Sequence, residues 1–161
     1  MFMKILLVLV VIGFAVLLYF ALKQQGEMIA DGVIMKRKSD FPHYAEEFTL
    51  RTPDPQTVTE KVKAFDYTKT RTEMKGSTSN QVYKFAGTPD WTAQLYKKSE
   101  ENGMSVYRFE FTHWKTSNGQ PKGDLYMNML ETYLEKMFVE LDENTEVRTE
   151  KLSVKSKHKI F

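Results

Sequence analysis

The strongest constraint on this chain is an uncharged run, Ile5 to Leu22 (ILLVLVVIGFAVLLYFAL), 18 residues with no acid or base. As a helix rising about 1.5 Å per residue it is roughly 27 Å long, close to the hydrocarbon thickness of a bilayer. The reading adopted is a retained single-pass transmembrane helix of signal-anchor type over residues 1–23, with membrane lipid as its partner. A cleaved secretory signal competes with it, but such signals carry an apolar region of about 7–15 residues that ends in small residues. Here the run is longer, and Ala21 near its end has Tyr19 two places before it. A buried helix of a soluble protein is the third reading. With no Cys in the chain a lipoprotein motif is excluded, and a pilin-type leader lacks its Gly before the run and its Glu near the start.

Orientation rests on less. Lys4 and the amino terminus precede the run, while Lys23 and, farther off, Lys36, Arg37 and Lys38 follow it, so a count of nearby cations does not decide. A head this short is usual in anchors that export a long C-terminal part, and the soluble part is expected outside the cytoplasm.

Charge then limits the partners. Of 23 basic and 21 acidic residues, Lys4 and Lys23 are the only charges before Gln24, which leaves 21 against 21 for the rest. A neutral domain has no basic face to steer nucleic acid, so no specific nucleic-acid binding is expected. Without Cys there are no disulfide staples and no thiolate metal sites, and a packed core has to supply the stability.

Residues 24–45 read as a linker, broken by Gly26, Gly32 and Pro42, with Val33, Ile34 and Met35 as an alternative short strand. Lys36, Arg37 and Lys38 are candidate contacts to anionic lipid head groups, each worth roughly 1 kcal/mol near a surface, against the plainer reading of a solvated cluster. The soluble domain is placed at 46–161. Glu46 to Arg51 alternates Phe48 and Leu50 inward, the period of a half-buried strand. Asp54-Pro55 then starts a short helix, Pro55 to Phe65, with Asp54 as its cap.

Four strands separated by turn signals follow: Tyr67 to Lys75, Gln81 to Ala86, one from Trp91 and one through Tyr107 to Trp114, expected as an antiparallel meander. In the last, strict alternation groups Tyr107, Phe109, Phe111 and His113 against Arg108, Glu110, Thr112 and Trp114. A long helix capped by Asp124 carries Tyr126, Met129, Leu130, Tyr133, Leu134, Met137, Phe138 and Leu141 on one stripe, with Asn128, Glu131, Glu135 and Lys136 opposite, toward solvent. Thr145 to Lys155 reads as a final strand. The fold class is therefore α+β, in the order β-α-β-β-β-β-α-β: an antiparallel sheet with both helices on one face. The order is similar to that of helix-grip domains, where a sheet wraps a long helix around an apolar ligand, and to cystatin-like or TATA-binding-like layerings; no motif accompanies it and no family is assigned.

No constellation for chemistry emerges. His43, His113 and His158 have no metal-ligand spacing, and no nucleophile elbow, Walker or dinucleotide motif occurs, so catalytic, cofactor and metal residues are all read as none. The adjacent pairs Glu46-Glu47, Glu100-Glu101 and Asp142-Glu143 read as solvent charges, since strand neighbours point to opposite faces. Arg108 and Glu110, two apart on the polar face of one strand, are expected to pair with cross-strand partners. Tyr96 and Trp114, assigned to the face away from the helices, are the candidate contacts for a protein partner. The lysines at 151, 155, 157 and 159 suit a solvated edge strand.

Three function classes follow. The favoured one is a membrane-anchored, non-enzymatic accessory domain that binds an envelope protein or a surface polymer. The alternative is a carrier or sensor of a small apolar ligand held between the sheet and the long C-terminal helix. An enzyme built around His113 and Asp124 is third. The apolar run predicts that the full chain stays with membranes through high-salt and alkaline carbonate washes. Release by salt alone, or a mature polypeptide that starts beyond Leu22, removes the anchor.

Overall fold

The computed structural model of the chain describes residues 2–87 and 89–153. It divides into two units, Met1–Lys36 and Arg37–Phe161.

In the first unit the helix continues past the apolar run and the expected end of the anchor, so that α1 covers Phe2–Ala30. Gly26 does not interrupt it, and Lys23 and Glu27 lie one turn apart at 3.8 Å. Its stop is written at Gly32, whose φ of 67° only glycine adopts freely. The amides of Gly32 and Val33 reach back to the carbonyls of Ile29 and Met28 at 3.0 and 2.8 Å, which satisfies the last turn in a Schellman motif. Val33, Ile34 and Met35 are irregular and form no strand. Among the described residues one span, Leu9–Ala30, is long and apolar enough to cross a membrane, and none of it is buried. Leu9, Phe14 and Leu22 are each about 60% exposed or more, on different sides of a helix that is apolar all round.

The second unit opens with a single turn of 3-10 helix, Phe41–His43, and then β1 (Tyr44–Arg51), α2 (Pro55–Lys63), β2 (Glu73–Ser77), β3 (Val82–Gly87), β4 (Trp91–Glu101), β5 (Met104–Trp114), the two-residue strands β6 (Thr116–Ser117) and β7 (Gln120–Pro121), α3 (Asp124–Leu141) and β8 (Glu146–Lys151). Six strands make one sheet in the order β2-β3-β4-β5-β1-β8, antiparallel throughout. The expected meander is β2 to β5, and β1 closes it against β8, the last edge. Two turns are Asn-Gly pairs, Asn102-Gly103 between β4 and β5 and Asn118-Gly119 between β6 and β7. All four residues have positive φ, as a twisted hairpin requires.

Local differences from the sequence reading have physical causes. Tyr67 to Thr72 is a run of turns, so only Glu73–Ser77 pairs as β2; the Tyr67 hydroxyl donates to Val62 O at 2.5 Å, which ties this stretch to the end of α2. Asp54 caps α2 as expected, accepting from Thr57 N at 2.9 Å. Asp124 does not cap α3: the cap is Gly123 at φ 77°, and Asp124 is the first helical residue. The last strand stops at Lys151, and of the expected span Val154 and Lys155, with Lys157, His158 and Lys159 beyond, lie outside the described residues.

One face of the sheet, carrying Phe48, Leu50, Tyr83, Phe85, Trp91, Ala93, Leu95, Tyr107, Phe109 and Phe111, packs against Val58 and Val62 of α2 and Met127, Leu130, Leu134, Met137 and Phe138 of α3. Phe138 stacks on Phe48 at 4.6 Å and tilts against Tyr107 at 4.9 Å. Each such pair contributes about 0.5–1.5 kcal/mol beyond buried area. Both helices thus lie on one face, and the Tyr133 hydroxyl ties them by donating to Lys61 O at 2.5 Å. Trp91 packs on bare backbone: a Cβ on Gly87 would lie 2.1 Å from its ring, and one on Gly123 would lie 3.0 Å away. Gly87→Ala is therefore expected to lower stability by about 1–3 kcal/mol in denaturant titration, through overpacking against an indole that has nowhere to move. Asp54→Ala, which removes only a helix cap, is expected to lower it by about 1 kcal/mol in the same assay.

Candidate functional site

Two places in the second unit concentrate chemistry. The first is enclosed. Glu46 has the same parity on β1 as Phe48 and Leu50, so its carboxylate points to the helix side, and it is 1% exposed. From α3, Glu131 and Glu135 arrive one turn apart, Glu131 also 1% exposed. Arg37 meets all three. Its Nη1 donates to Glu46 Oε1 at 2.9 Å, its Nη2 to Glu135 Oε1 at 2.7 Å, and its Nε lies 3.2 Å from Glu131 Oε2 while donating to Asn128 Oδ1 at 3.3 Å. Thr132 Oγ1 donates to the same Asn128 oxygen at 3.0 Å.

The stretch that carries Arg37 is pinned to the sheet. Phe41 sets its ring edge-on to Phe111 at 5.7 Å, Pro42 is buried, His43 stands against Trp114 at 4.8 Å, and His43 O accepts from Leu152 N at 2.7 Å. Burial, then the neighbouring Glu131 carboxyl, push Glu46 well above the ordinary glutamate range, and Arg37 only partly offsets them. Burial also raises Glu131 against the pull of Arg37. For Arg37 itself burial works against the charge, but the three carboxyls outweigh it and hold the guanidinium ionised.

These positions revise the sequence reading. Glu46, Glu131 and Glu135 are not solvent charges. Of the three cations assigned to lipid head groups, Lys36 and Lys38 are exposed, while the Arg37 side chain is 14% exposed and engaged by the clasp. A signal was present for the acids: Glu46 shares the parity of Phe48 and Leu50, and Glu131 stands four residues after Met127 and three before Leu134, inside the apolar stripe. The cation was not legible, because Arg37 lies 94 positions before Glu131 in what reads as a linker.

The second place is the other face of the sheet. Along one rung, Ser77, Val82, Tyr96, Arg108, Glu47 and Arg148 stand side by side across all six strands. Arg108 pairs with Glu47 at 2.7 Å, Glu110 at 2.9 Å and Glu150, and Lys98 reaches Glu47 at 2.5 Å. The hydrogen bond from Lys98, helped by Arg108, holds Glu47 below the ordinary range despite partial burial. On the next rung Lys75 and Lys84 face each other directly, followed by Gln94 and Glu110. Lys75, Lys84 and Gln94 border an open groove of about 340 Å³ that Glu73, Ala86, Thr92 and Thr112 also line. Both lysines are exposed, and neither has an acidic partner among the described residues.

Tyr96 stands on this face, half-buried between Val82 and Arg108. Trp114 does not. The register of β4 and β5 shifts at Thr112, after which His113 pairs with Thr92 and Trp114 with Trp91. The extra residue of this bulge reverses the alternation and turns Trp114 toward the core side, where it packs partly buried. His113 is correspondingly exposed beside Thr92, and Asp124 is exposed at the start of α3. Among the described residues no group of three or more His, Cys, Asp or Glu is arranged to hold a metal ion.

Arg37→Met leaves three enclosed carboxyls without their cation. It is expected to lower stability by about 3–5 kcal/mol at neutral pH, the usual loss when one partner of a buried ion pair is removed. The loss should shrink in acid as those carboxyls take up protons, which denaturant titrations of the full chain in detergent micelles at two pH values will register. No known protein family, curated protein or solved structure matches this chain.

Proposed function

We propose that this chain is a membrane-anchored, non-enzymatic binding domain. Its soluble part stands outside the cytoplasm and contacts an acidic partner, an envelope protein or a surface polymer, through the sheet face away from the helices. The observation that carries this reading is the Lys75–Lys84 pair. Like charges directly opposite each other on neighbouring strands weaken a sheet, and here neither lysine forms an ion pair among the described residues, although Glu73 lines the same groove. An external anion seated in the adjoining groove would do so, with Tyr96 nearby supplying a flat ring with a polar tip.

Support for the alternative, a small apolar ligand between sheet and long helix, is weaker. The interval there is occupied by Phe48, Tyr107, Phe109 and Phe138, all fully buried, with Phe138 of the helix in ring contact with Phe48 and Tyr107.

The test is capture by the full chain in vesicles, using a polyanionic polysaccharide and solubilised envelope protein as separate ligands. Lys75→Ala combined with Lys84→Ala and Tyr96→Ala is expected to weaken binding at least about tenfold, roughly 1.4 kcal/mol. Moderate salt should do the same to the parent chain. Capture of both ligands that is unchanged by the three substitutions would end this reading.

A further inference from the structure

Within the Arg37 clasp neither charge nor hydrogen bonding closes. Three carboxyls surround one guanidinium, so full ionisation leaves an excess of two negative charges in an enclosed place. Glu46 Oε2 and Glu131 Oε2 are buried and receive no hydrogen bond. The side chains that bear them are each 2% exposed.

Among the described residues neither oxygen has a hydrogen-bond donor. The Arg37 nitrogens are directed at Glu46 Oε1, Glu135 Oε1 and Asn128 Oδ1, and Thr132 Oγ1 is directed at Asn128 as well. The strands flanking β1 place Phe109 and Thr149 opposite Glu46. The charged groups acting on Glu131 are Arg37, Glu135 and Glu46, and those acting on Glu46 are Glu131, Arg37 and Glu135. Glu46 reaches Glu135 as well, but the two oxygens without a donor belong to Glu46 and Glu131, which are within hydrogen-bonding reach of each other. One proton between them answers both deficits: one carboxyl becomes a donor, the other stays an acceptor, and one of the two excess charges disappears.

We propose that the clasp is a proton switch, in which a single proton shared by Glu46 and Glu131 closes Arg37 onto β1 and α3, and whose loss to solvent at alkaline pH releases the Arg37–His43 stretch that leads into the sheet. The sign follows from where the proton is held. Both carboxyls titrate above the ordinary glutamate value of 4.5 in the folded chain, so the native state keeps a proton that the unfolded chain has lost. The stability this proton confers is fully present below 4.5 and falls as pH rises from there through the clasp's own higher titration. While one proton is retained, the folding equilibrium constant drops about tenfold per pH unit.

The experiment uses the full chain in neutral detergent micelles. Infrared difference spectra across the neutral and alkaline range are expected to show the carbonyl band of a protonated, water-excluded carboxylic acid at neutral pH. That band should disappear on alkalinisation with the same midpoint at which amide protection over Arg37–Glu46, corrected for the intrinsic rise of exchange with pH, is lost. Glu131→Gln and Glu46→Gln, which carry the missing hydrogens permanently, are expected to lose the band and to flatten the tenfold pH slope of stability. An unchanged slope in both variants overturns the proposal. Should the variants fail to fold, the parent chain decides alone: no such band at neutral pH, or exchange that does not respond to its loss, overturns it equally.

Discussion

Everything in the folded unit depends on one face of a six-stranded sheet being dry. Phe138 is the point where that requirement is met, since its ring lies on Phe48 of β1 and against Tyr107 of β5 and so joins α3 to two neighbouring strands at once. Strand β1 is laid between β5 and β8 although it precedes both in sequence by many residues, and the antiparallel register puts Phe48 opposite Tyr107. The aromatic face is thereby continuous from Tyr83 to Phe48, and a single helix of 18 residues together with the shorter α2 suffices to cover it.

Polar groups pass beneath those helices in two places, and they are treated differently. Near α2, the Tyr83 hydroxyl meets Thr59 Oγ1 at 2.8 Å, Thr59 donates to Pro55 O at 2.9 Å, and Tyr107 donates to Gln81 Oε1 at 2.5 Å. Gln81 in turn donates to the carbonyls of Thr78 and Pro55, so this network is neutral and complete. The Arg37 cluster is charged and leaves two acceptors without donors. Incomplete burial of that kind opposes folding unless protonation or an added donor relieves it, so the two networks respond differently to solution conditions although they stand under the same sheet face.

What could be read in advance was whatever has a period. The stripe of α3, the alternation of β4 and the Asp54-Pro55 start of α2 were all legible, because each is a local pattern that the finished fold leaves intact. Trp114 was misplaced for a physical reason: alternation assumes one residue per pleat, and the bulge at Thr112 adds one. Tyr67 to Thr72 looked extended from its threonines, yet a tie to Val62 O and the left-handed Arg71 hold it as turns. Glu131 looked like a solvent residue because acids usually are, although its place between Met127 and Leu134 marked it as buried. Its cation sits at the start of the unit, and only folding brings the two together. The candidate contact face was half legible, through Tyr96, while the facing lysines needed the register of β2 on β3 to be seen.

Trp91 sits on the backbone of Gly87 and Gly123 with Trp114 directly across from it, and these are the only two tryptophans in the chain. Indole emission from this protein therefore reports on one corner, where β4 begins and β5 ends, and through His43 against Trp114 it also senses the stretch that carries Arg37. A fluorescence transition and a far-ultraviolet dichroism transition need to be recorded together here, because their coincidence is the condition under which a single unfolding free energy has meaning.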